Sequence, residues 1–243
     1  MRTVCVVQAR TGSTRLPGKV LLEVKGKPLL VHTLDRLKRC ERIDHLILAT
    51  SNLPQDRVLL NLAKKEGVEG FAGSEENVLD RYYRAVVHHR PETVVRCTGD
   101  CPLLDSEVTD LVIRRHDEKQ KDYTSNTLVR SYPRGLDTEV MKFSVLEKAA
   151  RESTKDYEWE HVTPYLYRHP ELFTIEQVVA EKERTIPGLR LCVDTVEDFE
   201  LIREIFGRLY DQNSFFSVDD ILALVRSNPE LMEINAHVQQ KQI

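Results

Sequence analysis

No apolar run in the 243 residues approaches the length that crosses a bilayer, and the apolar stretch behind Arg2 is too short for the core of a signal peptide. A membrane role is therefore not expected, and the cytoplasm is the expected location. Cysteine is scarce and scattered: Cys5, Cys40, Cys97, Cys101 and Cys192 are odd in number and form no C-x-x-C pair. That argues against a disulfide framework and a zinc ribbon, and buried free thiols are the simpler reading. A basic excess is also missing, since 35 Lys and Arg face 39 Asp and Glu for a net charge of -4. That balance argues against a general nucleic-acid binder, so any bound anion is expected to be held by a local cluster. Internal repeats and low-complexity linkers are absent. With 41% hydrophobic and 30% charged residues, the composition is that of an ordinary globular protein, and one domain over residues 1–243 is expected.

What is present is a steady alternation of strand and helix patterns. Apolar runs at Thr3 to Val7, His45 to Thr50, Val68 to Phe71 and Thr93 to Cys97 read as strands. Helical spacing follows each, over Pro28 to Cys40, Pro54 to Glu66, Val78 to His89 and Glu107 to Lys119. Such alternation predicts an α/β protein with a mainly parallel, Rossmann-like, doubly wound sheet. Further on, a strand is expected from about Asp137, with Asp137 and Glu139 on one face, then a helix over Phe143 to Arg151. Strands at Phe173 to Val179 and Arg190 to Val193 precede a helix capped by Asp194 and a last helix capped by Ser217. The tail from Met232 is expected at the periphery.

One loop stands out. Gln8 to Lys19 leaves the C-terminal end of the first strand, where open α/β sheets place their ligands. It gathers Arg10, Arg15 and Lys19 with the hydroxyl of Ser13 and glycines Gly12 and Gly18. Those groups suit phosphate oxygens. A Walker A loop fails on counting: five residues separate Gly12 from Gly18-Lys19, and Val20 follows in place of Ser or Thr. Pro17 also opposes a helix running through Gly18. The expectation is an extended basic loop around a triphosphate, contacted from Gln8 and Ala9 onward. After the fourth strand, Asp100 sits between Gly99 and the Pro102 turn, where a carboxylate can hold a hard cation or simply form the turn.

At these residues a resemblance emerges. Ala9 to Leu21, AR-x-x-STRLPGK-x-L, followed by Gly26-Lys27-Pro28, resembles the opening of the sugar-acid cytidylyltransferases. The loop is similar to that of the 3-deoxy-manno-octulosonate enzymes. Taken whole, the chain looks most like the spore coat polysaccharide biosynthesis protein F branch of the acylneuraminate cytidylyltransferase family. The resemblance implies a nucleotide-diphospho-sugar transferase fold with an inserted substrate or dimerisation region at about 122–178. It implies CTP and an acidic sugar as partners, a homodimer, and Mg²⁺ as cofactor. The implied reaction is attack of the sugar's anomeric hydroxyl on the α-phosphate of CTP, giving a CMP-sugar and pyrophosphate.

Roles carried by the resemblance follow residue by residue. Arg10, Lys19 and Asp100 would carry the chemistry, with Arg15 holding phosphate and Ser74 and Arg81 contacting the nucleotide. Capping alone could explain Ser74. Capping could equally explain Asp194, but V-D-T-x-E-D from Val193 resembles the superfamily's second metal-binding segment and pairs Asp194 with Asp100 around Mg²⁺. Pro-Arg-Gly-Leu-Asp-x-Glu assigns Arg134, Asp137 and Glu139 to the sugar side, although both acids could face solvent. Glu160 and His161 lie in a Glu-His-Val-Thr-Pro segment that the resemblance places near the sugar and the subunit contact, with plain packing as the alternative. A glycosyltransferase of the related fold, using a nucleotide sugar with Asp137 and Glu139 as its metal motif, is the competing expectation.

Overall fold

β1 (Thr3–Gln8) is central, and its side chains divide between two cores: Cys5 and Val7 pack into one apolar cluster, Val4 and Val6 into the other. A β-branched run buried on both faces is what a strand covered by helices on both sides requires. The computed structural model describes residues 2–240; Met1 and residues 241–243, which the single-domain expectation includes, lie outside the described residues.

A small antiparallel ribbon, β2 (Glu23–Val24) with β3 (Lys27–Pro28), leads into α1 (Leu29–Leu37). The alternation then continues through β4 (His45–Ser51), α2 (Arg57–Lys65), β5 (Glu69–Gly73), α3 (Val78–Val86), β6 (Thr93–Thr98) and α4 (Ser106–Lys119). Next come β7 (Tyr123–Ser125), β8 (Glu139–Lys142), α5 (Phe143–Glu152), α6 (Asp156–His161), α7 (Pro164–Tyr167) and β9 (Ile175–Gln177). α8 (Val196–Leu209) and α9 (Val218–Ser227) close the fold. The seven-stranded sheet runs β5-β4-β1-β6-β8-β7-β9. Its pairs are parallel except those that β8 makes with β6 and β7, so the expected mainly parallel α/β architecture is present.

Helices α1, α2, α4, α8 and α9 cover the face of Cys5 and Val7, whereas α3, α5 and α7 cover that of Val4 and Val6. In α1, Leu29, Leu30, Leu34 and Leu37 are all buried. Each contributes about 1.5–3 kcal/mol of apolar burial, which fixes the helix behind the basic loop. The 122–178 region adds β7, β8 and β9 to the same sheet. No helix among the described residues is long and apolar enough to cross a membrane.

Several boundaries differ from expectation. Asp137 precedes its strand, because the Asn126 side chain takes the ladder's place: its amide donates to the Leu136 carbonyl at 2.8 Å and its oxygen accepts from Thr138 N–H at 2.9 Å. The strand expected at Phe173 to Val179 shortens to three residues. The segment Arg190 to Val193 forms no strand, only an isolated bridge, Arg134 to Arg190. Its backbone bonds go to loops instead, Leu191 N–H to Arg134 at 2.7 Å and Val193 N–H to Asp100 at 2.9 Å. The tail from Met232 lies mostly at the surface, as expected, but it is tied down by Asn235, which is buried and donates to the Arg190 carbonyl and to Asp198.

Candidate active site

The C-terminal ends of β1 and β6 open into a cleft of about 1040 Å³. The basic loop forms one wall. Asp56, buried at the start of α2, anchors it by accepting from Thr11 N–H at 2.7 Å, from the Thr11 hydroxyl at 2.6 Å and from Ser51. After Pro17 the chain turns through Gly18 at φ +69°, a left-handed conformation that side chains oppose. A short 3₁₀ turn over Lys19–Leu21 follows and aims Lys19 inward.

Lys19 is the centre of the site. Its ammonium donates to Asp100 Oδ2 at 2.6 Å, to Asp194 Oδ1 at 2.7 Å and to the Val193 carbonyl at 2.7 Å. Burial disfavours the charged amine, but the two carboxylates outweigh it and raise its pKa above the ordinary lysine value. Burial likewise disfavours the Asp100 carboxylate, and the Lys19 charge and hydrogen bond reverse the sign, holding Asp100 ionised below the usual carboxylate range. The bond from Val193 N–H to the Asp100 carbonyl locks the two acidic segments together.

Asp194 does not cap α8. Thr195 is the N-cap, in a reciprocal box with Asp198, so the Asp194 carboxylate is left to face the cleft. Its second oxygen meets Arg15 at 3.0 Å and Arg190. Arg190 is in turn bound at 2.9 Å by the buried Asp198, whose other oxygen accepts from the N–H groups of Asp194 and Thr195. Arg190, Asp198 and Asp56 escaped the sequence reading. Only the position of Asp198, three residues after Thr195, carried a visible signal, that of a capping box.

Of the predicted site residues, Gly12 and Ser74 do not line the cleft, and the others do. Asn77 caps α3, while the Ser74 hydroxyl accepts from Asn77 N–H at 2.9 Å and lines an adjoining hollow of about 520 Å³. Arg81 is buried and donates to the Ser74 carbonyl at 3.0 Å. Arg81 Nε and Gln8 Oε1 are buried polar atoms with no partner among the described residues, and both residues line the cleft. Arg10 stands at the rim, 3.7 Å from Glu75.

The far wall comes from the 122–178 region. Glu139 is buried and committed: Arg96 pairs with it, Tyr123 donates to it and the Thr163 hydroxyl donates at 2.7 Å. Asp137 is paired with Arg130. With its side chain only 6% exposed and enclosed by three partners, Glu139 is closed to an ion, so the pair lacks one acid of the metal motif in the glycosyltransferase expectation. Arg134 is half-buried, and its guanidinium makes no hydrogen bond or ion pair among the described residues. Burial first, and neighbouring Arg130 next, lower its pKa from the ordinary arginine value. Glu160, His161 and the buried Thr163 reach the cleft at the end of α6, while Val162 and Leu166 behind them are buried packing residues.

Comparison with known proteins agrees with this arrangement. A family model described as cytidylyltransferase matches residues 4–225. The uncharacterized protein MJ1063 of Methanocaldococcus jannaschii is 36% identical over 99% of this chain and 97% of that protein. Spore coat polysaccharide biosynthesis protein SpsF of Bacillus subtilis is 34% identical over 93% of this chain and 94% of its own. Among solved structures, a cytidylyltransferase from Leptospira borgpetersenii superposes with a TM-score of 0.89 at 32% identity, covering 100% of this chain and 99% of that one. With the matched model spanning most of the chain and the cleft built around its basic loop, the protein belongs to the cytidylyltransferase family.

Proposed function

We propose that the protein transfers CMP from CTP to an acidic sugar, releasing pyrophosphate, in surface polysaccharide biosynthesis. The observation that carries this reading is the Lys19 ammonium held between Asp100 and Asp194 at the mouth of the sheet, beside Arg15. Little covalent chemistry is required of such a site: phosphoryl-type transfer is positioning and charge neutralisation. Arg10, Arg15 and Lys19 hold the triphosphate. Gln8 and Arg81 meet the polar part of the nucleoside, with Ala9, Gly12, Ser13 and Ser74 shaping its approach. The sugar's anomeric oxygen bonds to the α-phosphorus as the bond to pyrophosphate breaks.

Asp100 and Asp194 are the residues that would hold Mg²⁺. Their fit rests on the donor set, two carboxylates whose side chains are 25% and 18% exposed to the cleft and which already gather around a cation, the Lys19 ammonium. When bound, the ion supplies charge stabilisation at the α-phosphate and the leaving group. The unpaired Arg134 supports the acidic class of acceptor, because a planar guanidinium in a half-buried wall suits a carboxylate. Asp137, Glu139, Glu160 and His161 line the same side and favour a polyhydroxy acceptor. Homodimerisation through the 122–178 region belongs to this reading, supported by Leu128 and Val129 exposed on that region's surface.

The test is pyrophosphate release from each of the four ribonucleoside triphosphates with Mg²⁺ and a panel of keto-sugar acids. Acceptor-dependent release with CTP alone is the expected outcome. Release with another triphosphate would overturn the base assignment, and release only with neutral sugars would overturn the role of Arg134.

A further inference from the structure

At the opposite end of the sheet from the cleft, three elements converge on a second cluster. His45 opens β4, Glu69 opens β5, and His89 stands in the turn between α3 and β6. His45 Nε2 lies 2.6 Å from Glu69 Oε2, and His89 Nε2 lies 3.1 Å from Glu69 Oε1. The two rings sit over one another with centroids 4.6 Å apart. One ligand atom from each residue falls within 4.8 Å of the others.

We propose that His45, Glu69 and His89 form a binding site for a divalent first-row transition-metal cation, with Zn²⁺ as its representative. Two imidazoles and one carboxylate are a donor set for such ions and unlike the all-oxygen sets of Mg²⁺ or Ca²⁺. Zinc bonds of about 2.0–2.2 Å put neighbouring ligand atoms roughly 3.3 Å apart in a tetrahedron. The 3.1 Å from His89 to Glu69 already lies near that value, and rotation of the partly exposed rings and carboxylate adjusts the other two separations, which fall within 4.8 Å. Arg2 contacts Nδ1 of His89 at 3.4 Å and its carbonyl at 3.2 Å, so the ring's other nitrogen is the one turned toward Glu69. His88, the sequence neighbour of His89, is exposed and takes no part, since adjacent residues diverge.

Because the ligands come from two strands and a turn, a bound ion pins β4, β5 and the α3–β6 connection together. Its effect is therefore on stability. Calorimetry of tag-free full-length protein with Zn²⁺ should show one equivalent bound, and Zn²⁺ at about a hundredfold excess over Kd should raise Tm by about 5–10 °C. His45→Ala and His89→Ala should each weaken binding tenfold or more, whereas His88→Ala should not. X-ray absorption should report two imidazole nitrogens. Absence of Zn²⁺ binding to the wild type would overturn the proposal. So would wild-type affinity in the His45 and His89 variants, or binding abolished by Asp100→Asn and untouched by His45→Ala, which would place the ion in the cleft.

Discussion

Replacing Lys19 by Met keeps the aliphatic stem and deletes the charge that holds the site together. In the native protein the Lys19 side chain is 11% exposed, and its ammonium bonds two carboxylates and a carbonyl. Breaking one partner out of a buried ion pair costs roughly 3–5 kcal/mol, because the remaining charge is left desolvated. Here the cost is smaller. Asp194 keeps Arg15 and Arg190, and both carboxylates reach the cleft, so the expected loss is about 2 kcal/mol, or roughly 4–8 °C in Tm for a chain of this size. The same change removes a donor aimed at the transferring phosphate, for which a loss of about 10²–10³ in kcat is expected. Urea denaturation in EDTA and in Mg²⁺, beside pyrophosphate release, separates the two effects. In Lys19→Met the carboxylates have lost their internal cation, so Mg²⁺ should restore part of the stability while kcat stays low. Unchanged stability in EDTA together with wild-type turnover would refute the reasoning, since no charge would then have been holding the acids.

Four further substitutions test separate parts of the argument. Arg134→Ala should raise KM for the acidic sugar about tenfold or more while leaving KM for CTP within about twofold, as steady-state kinetics would show; equal effects on both would place Arg134 elsewhere. Gly135→Ala should destabilise by about 2–3 kcal/mol in urea melts, because Gly135 has φ +101° and an added Cβ would lie 2.6 Å from the Leu191 carbonyl carbon. Gly207→Ala in α8 meets open space and should instead stabilise by about 0.5–1 kcal/mol. His116, buried beside Thr124, has its pKa lowered from 6.5 to about 4, by burial first and Lys142 next. The unfolded chain takes up that proton below pH 6.5 and the folded chain only near pH 4, so stability is full above 6.5 and falls by about 3 kcal/mol as pH drops through that window. His116→Gln should flatten the decline in urea midpoints between pH 6.5 and 4; parallel profiles would show that His116 does not cause it.

The features legible in the sequence are those whose physical cause is local. Proline 17 and Gly18 break the helix that a Walker loop would need, and the structure turns there. Asp105 caps α4 through the N–H groups of Glu107 and Val108, as its position beside Ser106 suggests. Features that depend on distant partners were not legible. Arg190, Asp198 and Asn235 make one network across 45 residues, and nothing near Asn235 in the chain announces it. Glu139 reads as one acid of an alternating pair, yet Arg96, Tyr123 and Thr163 converge on it only after β6, β7 and β8 have paired. Asp194 shows why the sequence left two readings open. An acid ahead of a helix has a capping role by default, and only the fold shows that Thr195 has taken that role. A carboxylate spared from its cap, placed against an ammonium and two guanidinium groups, has no local stabilising task left; its surroundings suit a metal-triphosphate ligand. The site survives the chain's net negative charge because folding adds Arg81, Arg96 and Arg134, from distant parts of the sequence, to the local cluster of Arg10, Arg15 and Lys19.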